Sequence, residues 1–262
     1  METELSPRAV YDRDGFAIFR QVVDLDLIAE ANDHVDWLLA KHPDLRPEQL
    51  HHYLCQHDPF WIRLVSDDRL LDLAEQFIGP DIALYGTHYI CKPPFDGQAV
   101  LWHQDGSYWP LEPMEVVTLW LALTDTTPEN GCMRVIPGTQ GMDLQALMQR
   151  TDVPNVLNSG MDEAIVDESA AVDCVMGPGD VSVHHPNVIH GSNANTSPRW
   201  RRGLTIRYIP TSTRICLDTP EIHPSAFHLR GKDPGGINAY NPRPVYVEGE
   251  WMPFRGCEAW RG

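Results

Sequence analysis

The stretch at residues 82–105, IALYGTHYICKPPFDGQAVLWHQD, decides how the chain is read. Its first part is apolar, β-branched and aromatic, PPFDG has the composition of a turn, and AVLWHQ is a second short run like the first. Two strands joined by a turn account for this better than any helix period. The same texture continues in VVTLWLALT (116–124), CMRVIP (132–137), AAVDCVM (170–176), DVSVHH (180–185) and GLTIRYIP (203–210), punctuated by PENG and GPGD. Many short strands without helices between them predict a mainly β core, a sandwich or jelly roll, over about 81–210. A long polar excursion over 141–162 interrupts the series. Excursions of that length in compact domains are lids or binding loops.

Upstream of Pro80 the period changes. Residues 7–40 read as helical, carried by LDLIAEANDHVDWLLAKH (25–42), and DDRLLDLAEQFIGP (67–80) repeats the pattern and stops at Gly-Pro. These predict a helical N-terminal layer over about 7–80. The tail, 211–262, is rich in proline and glycine and is expected to wrap the core. No linker or low-complexity run divides the chain, so 1–262 is read as one domain.

The charge balance excludes some partners. Asp and Glu number 37 against 20 Lys and Arg, a net charge of -17. Such a surface repels phosphate backbones and anionic lipid, so no nucleic acid and no membrane partner is expected. The six cysteines are scattered without a Cys-x-x-Cys pair, as in a reducing compartment. The segment METELSPRAVYDRDG has neither a basic nor an apolar targeting region, and a cytoplasmic location is expected. No pattern specifies an oligomeric state.

The chemistry lies in WHQD. Strand residues two apart share a face, so His103 and Asp105 can aim a nitrogen and an oxygen at one point while Gln104 faces away. A histidine from a distant strand would complete a two-histidine, one-carboxylate facial triad with open coordination positions. A second His-x-Asp, His42-Pro43-Asp44, ends a helical pattern and has no strand to orient it, so it reads as surface. For the distant histidine, HHPNVIHGSNANTSPRWRRGLTIRY (184–208) offers His184, His185 and His190, and spacing alone does not choose among them. Arg201, at the mouth of the next strand, is placed to pair bidentately with a carboxylate near the metal.

Four ordered segments give the chain a specific likeness: YDRDGFAIFRQVVD, HYICKPPFDGQAVLWHQD, LWLALTDTTPENGCMRVIPGTQ and IHGSNANTSPRWRRGLTIRY. Together, over roughly 10–250, they resemble the phytanoyl-CoA dioxygenase family of Fe(II)/2-oxoglutarate-dependent oxygenases. The resemblance implies a double-stranded β-helix, cupin-like core behind the helical layer. It also implies Fe(II), 2-oxoglutarate as cosubstrate, O2, and hydroxylation of a small-molecule metabolite with release of succinate and CO2. On this resemblance His103, Asp105 and His190 bind iron. Arg201 holds the far carboxylate of 2-oxoglutarate with help from the Ser192 hydroxyl, Trp120 lines the cosubstrate pocket, and His88 touches the cosubstrate.

Related halogenases replace the carboxylate ligand with a small residue, so Asp105 favours hydroxylation. Gln140 departs from the family's Pro-Gly-Ser-His ending and is assigned no role. Gln104, Ser107, Tyr108, Trp109 and the His51–His52–Tyr53 stretch are expected near the mouth. Two other readings fit the strands: a cupin-type metal dioxygenase without 2-oxoglutarate, and a non-catalytic jelly-roll binding protein. Substitution of Arg201 separates the first from the family reading, and iron binding separates the second.

Overall fold

The computed structural model of the protein describes residues 6–218 and 221–262. Four helices form where the local chemistry starts and stops them. Helix α1 (Pro7–Asp14) is capped by the Ser6 side chain and ends at Gly15, whose φ of 81° suits glycine. Helix α2 (Leu25–Lys41) is capped by Asp24, which accepts the Leu27 N–H. Asp58 caps α3 (Pro59–Val65), and Asp67 caps α4 (Asp68–Ile78). Residues 7–40 are therefore not continuously helical, as the sequence pattern had suggested. Phe16–Phe19 is a strand, pairing antiparallel with Val181–His184.

Two antiparallel sheets make the core. The larger has seven strands in the order Phe16–Phe19, Val181–His184, Val117–Ala122, Gly203–Pro210, Ile82–Tyr89, Phe227–Arg230, with Leu50–His51 also pairing on Ile82–Tyr89. The smaller has four: Val172–Asp173, Met133–Val135, His190–Ser192 and Val100–His103. This is the expected jelly-roll class, mainly β with a helical layer. The tail does more than wrap, because Phe227–Arg230 joins the large sheet and Met252, Phe254 and Cys257 enter the helix-side core. The polar excursion folds into a short ladder, Met148–Gln149 against Ser159–Gly160, and bridges Asn155 to Ala99. Among the described residues no helix is long and apolar enough to cross a membrane.

Period-two alternation divides the large sheet into two surfaces. Val181, Val183, Leu119, Leu121, Leu204, Ile206 and Tyr89 face the helices and pack with Leu27, Val35, Trp61 and Leu70. The opposite surface is polar. His184, Thr118, Arg207 and Gly86 form one row across four strands. Ser182, Trp120, Thr205, His88 and His51 form the next. Polar side chains in adjacent buried rows are costly to desolvate, so the middle of this surface faces a site, while Phe16, Trp120 and Ala122 pack on Met133 and Val135 of the small sheet.

Candidate active site

The small sheet brings the first candidate ligands together. His190 and His103 are directly paired residues on neighbouring strands, and their ring centroids lie 4.1 Å apart. His103 Nδ1 donates to the Leu101 carbonyl at 2.8 Å and His190 Nδ1 to the Val188 carbonyl at 3.0 Å. Those bonds fix the tautomer and leave each Nε2 lone pair free to ligate. Both Nε2 atoms point at Asp105 Oδ1, at 3.4 Å and 3.9 Å. The ligand atoms of His103, Asp105 and His190 all lie within 4.8 Å of one another, and all three residues are buried.

The element carrying Asp105 differs from the expectation. The strand ends at His103, and Asp105 opens a 3-10 turn to Tyr108. The turn is held by the Gly106 N–H on the Pro186 carbonyl, so the carboxylate reaches the same point from a loop. Gln104 faces away as expected, but it is buried and structural. It donates to the Asn187 carbonyl at 2.8 Å and accepts the Gln145 N–H at 2.8 Å.

The electrostatics favour a metal. Burial opposes charge on Asp105, yet Arg207 and the facing histidines hold its carboxyl well below the usual carboxylate range. Burial, with the neighbouring His103 and His184, keeps His190 neutral by pushing its pKa well down. An ionised carboxylate and a neutral imidazole are the protonation states a divalent cation requires. Of the competing histidines, His185 faces Tyr11 away from the cluster. His184 lies beside it, with its Nε2 3.5 Å from Asp105 Oδ2 and neither ring nitrogen hydrogen-bonded.

A cavity of 320 Å³ opens over these ligands, and Arg201, Ser192, Trp120 and His88 all line it. Arg201 is 2 % exposed, so its charge is fully desolvated. Its Nη2 donates to the Ile90 carbonyl at 3.1 Å, and its Nε has no partner. Burial lowers its pKa only to about 10, so it stays charged at neutral pH. Trp120 lies beneath it, 5.2 Å from guanidinium carbon to ring centroid. Gly203 makes this possible, because a Cβ there would sit 2.1 Å from the indole.

Lys92, which the sequence reading passed over beside a turn, is buried and donates to Ser192 Oγ at 2.7 Å and to the Asn193 carbonyl. Arg201 and the Ser192 hydroxyl thus meet on the cavity wall with no carboxylate in ion-pair distance of the guanidinium among the described residues, and Lys92 backs the hydroxyl from behind. His88 lines the cavity, but its Nε2 is committed to the Glu48 carbonyl at 2.6 Å, leaving only Nδ1 for a ligand. Gln140 donates to the carbonyls of Asp12 and Arg13, tying its loop to α1. Asp44 is exposed at the end of α2 and remote from the cluster.

Residues 11–203 match the phytanoyl-CoA dioxygenase (PhyH) family. The chain belongs to that family. Ectoine dioxygenase of Sphingopyxis alaskensis is 25% identical over 232 residues, covering 79% of this chain and 76% of that protein. The peroxisomal phytanoyl-CoA dioxygenase of Bos taurus is 31% identical over 163 residues, 58% of this chain, which spans only 47% of that enzyme's length. Among solved structures, the non-heme monooxygenase ThoJ without metal superposes with a TM-score of 0.76 at 25% identity, over 91% of this chain and 88% of that one. Family membership makes the chain an Fe(II)- and 2-oxoglutarate-dependent oxygenase, and it sets aside the cosubstrate-free cupin and the non-catalytic jelly roll.

Two features escaped the sequence reading. Lys92 was hidden in turn composition. Arg207 was hidden inside TIRY, although its alternation with Leu204, Ile206 and Tyr208 marks it as the residue on the cavity side.

Proposed function

We propose that this PhyH-family oxygenase hydroxylates a small-molecule metabolite, with His103, Asp105 and His190 holding Fe(II), Arg201 and Ser192 holding 2-oxoglutarate, and Lys92 orienting the Ser192 hydroxyl. The observation that carries the assignment is the placement of two complementary groups in one cavity. Three buried ligand atoms converge at one end, and a buried, carboxylate-free guanidinium stands at the other. Two histidines and one carboxylate suit ferrous iron and leave positions for a chelating ketoacid. Bound iron and 2-oxoglutarate supply the oxidising power, coupling conversion of the ketoacid and O2 to succinate and CO2 with oxygen insertion into a substrate C–H bond.

The chain's own work is positioning and charge control. The Leu101 and Val188 carbonyls lock the two imidazoles with Nε2 inward. The guanidinium of Arg201 offers a fixed fork to the distal carboxylate, so the cosubstrate is oriented before reaction. Trp120 holds the fork from below, and Ile90, Val100 and Met133 dry the wall. Drying strengthens each charge pairing and limits wasteful turnover. Leu157, from the polar excursion, also lines the cavity. Tyr108, from the ligand-bearing turn, hydrogen-bonds Ser159 of that excursion at 2.7 Å, so the excursion covers the mouth.

We read all 262 residues as one catalytic unit and place it in the cytoplasm, supported by six cysteines that are all unpaired. The test is succinate release from 2-oxoglutarate. It should require Fe(II) and O2 and fall at least ~1,000-fold in His103→Ala, as expected for loss of a group acting only through the metal. Succinate release by the wild type without Fe(II), or at equal rate in His103→Ala, would contradict the assignment.

A further inference from the structure

Arg207 is the second cation of the cavity, and nothing in the cosubstrate assignment uses it. Its row neighbours place it. Thr118 lies directly opposite on one side, and Thr118 Oγ1 is 3.4 Å from the ligand residue Asp105. On the other side lies Gly86. There Leu84 pairs with Tyr208 and Gly86 with Arg207, so Tyr85 is the extra residue of a β-bulge. Bulges beside active sites re-aim side chains, and here the bulge with Gly86 clears space along the guanidinium.

The guanidinium has no ion pair and no hydrogen bond among the described residues, and its Nε is buried without a partner. Acid is not scarce in a chain of net charge -17. Elsewhere Arg202 pairs with Asp36, and Arg230 with Asp68, Asp72 and Glu75. Arg207 is surrounded instead by rings: Trp109 at 5.2 Å from the guanidinium carbon, with Tyr85 against Trp109 and His52 against His223. His52 is neutral, its pKa driven to about 3 by burial and then by the charges of His223 and Arg207.

With iron and cosubstrate in place the charges do not cancel. The two positive charges of Fe(II) and that of Arg201 answer Asp105 and the two carboxylates of 2-oxoglutarate. Lys92 is driven toward its neutral form by burial and by Arg201. Arg207 is left over, and its service to Asp105 becomes redundant once a cation sits on that carboxylate. A half-buried guanidinium that lines the cavity with a buried, unpartnered Nε and no ion pair is a ready site for an anionic group.

We propose that Arg207 anchors the substrate through a carboxylate, so that the substrate class is a compact carboxylic acid whose body lies between Trp109 and the metal ligands. This rests on the oxygenase reading above. The cavity volume of 320 Å³ lies at the low end of small-molecule sites, ~300–1,000 Å³, and because 2-oxoglutarate shares it, the space left favours a compact acid over a bulky thioester.

The experiment is calorimetry on protein loaded with Co(II) and 2-oxoglutarate. Benzoate and cyclohexanecarboxylate are the probes, and their primary amides are the controls. The acids should bind and the amides should not. Arg207→Gln should weaken the acids at least ~30-fold, while 2-oxoglutarate affinity, measured before the probes, shifts less than ~3-fold. Arg207→Lys should fall between, since it keeps the charge and loses the fork, and it preserves the test if the glutamine variant misfolds. Equal binding of acids and amides, no binding of either acid at millimolar concentration, or acid binding indifferent to both substitutions would overturn the proposal. Failure of 2-oxoglutarate itself to bind the Co(II) protein would instead overturn the oxygenase reading.

Discussion

At the scale of single residues, the site is a set of side chains whose charge states are chosen by burial and by their neighbours. Arg201 is the clearest case, because its guanidinium is buried, charged and unanswered by any carboxylate. Arg201→Gln should raise the dissociation constant of 2-oxoglutarate by ~100-fold, the loss of one charge-assisted, largely desolvated pair. Arg201→Lys should recover little of it, since an ammonium cannot reproduce the fork. Calorimetric titration of the Co(II) protein measures both.

His88 makes a different prediction. Burial, with Arg207 adding to it, lowers its pKa from 6.5 to about 3. Its folded pKa is depressed, so below about pH 6.5 the unfolded chain takes up a proton that the folded chain refuses. Stability is therefore full above that pH and falls as pH drops toward 3. The linkage limit is ~1.4 kcal/mol per pH unit, and the residual solvent exposure of the residue reduces it. Wild type should lose about 1 kcal/mol more than His88→Gln between pH 7 and pH 5, read from urea midpoints. Equal losses would contradict this. At this scale His103 and Asp105 were legible from their spacing on a strand, whereas His190 was picked from three candidate histidines, and Arg201 given its role, only by the family resemblance. Lys92 was not, because a lysine beside two prolines carries no local mark of burial, and Arg207 was passed over although strand alternation puts it on the cavity side.

At the scale of elements, alternation along the central strands does most of the work. One face of Val117–Ala122 and Gly203–Pro210 packs on the helices and the other carries the site, so a strand shift of one residue would exchange core for cavity. Gly203 sets the closest approach in this pair. Gly203→Ala should cost on the order of 2–3 kcal/mol, because its Cβ would meet the Trp120 indole and force it off its rotamer. A urea midpoint shift at constant m measures this. An unchanged midpoint would show that Trp120 is free to move. The strands from Ile82 to Pro210 were readable because turn residues bracket β-branched runs. Phe16–Phe19 was not, since four apolar residues have no measurable period and their partner strand lies far along the chain. Asp105 shows the same limit: its direction was legible, but the end of its strand two residues earlier was not.

At the scale of the whole molecule, two sheets from distant segments close on one cavity, with the small sheet supplying the histidines and the large sheet Arg201's neighbours and Arg207. Ordered motifs made the jelly-roll class readable, whereas the course of 141–162 and the entry of 227–230 into the large sheet depend on long-range pairing that local composition does not encode. The central claim is that iron held by His103, Asp105 and His190 receives 2-oxoglutarate fixed by Arg201. Anaerobic titration of the Fe(II)-loaded protein with 2-oxoglutarate, followed by visible absorption, tests it most directly. The account predicts a weak metal-to-ketoacid charge-transfer band that saturates at one equivalent, is lost in His103→Ala, and needs far more cosubstrate in Arg201→Gln. Iron bound with no such band, or a band unchanged by Arg201→Gln, would contradict it.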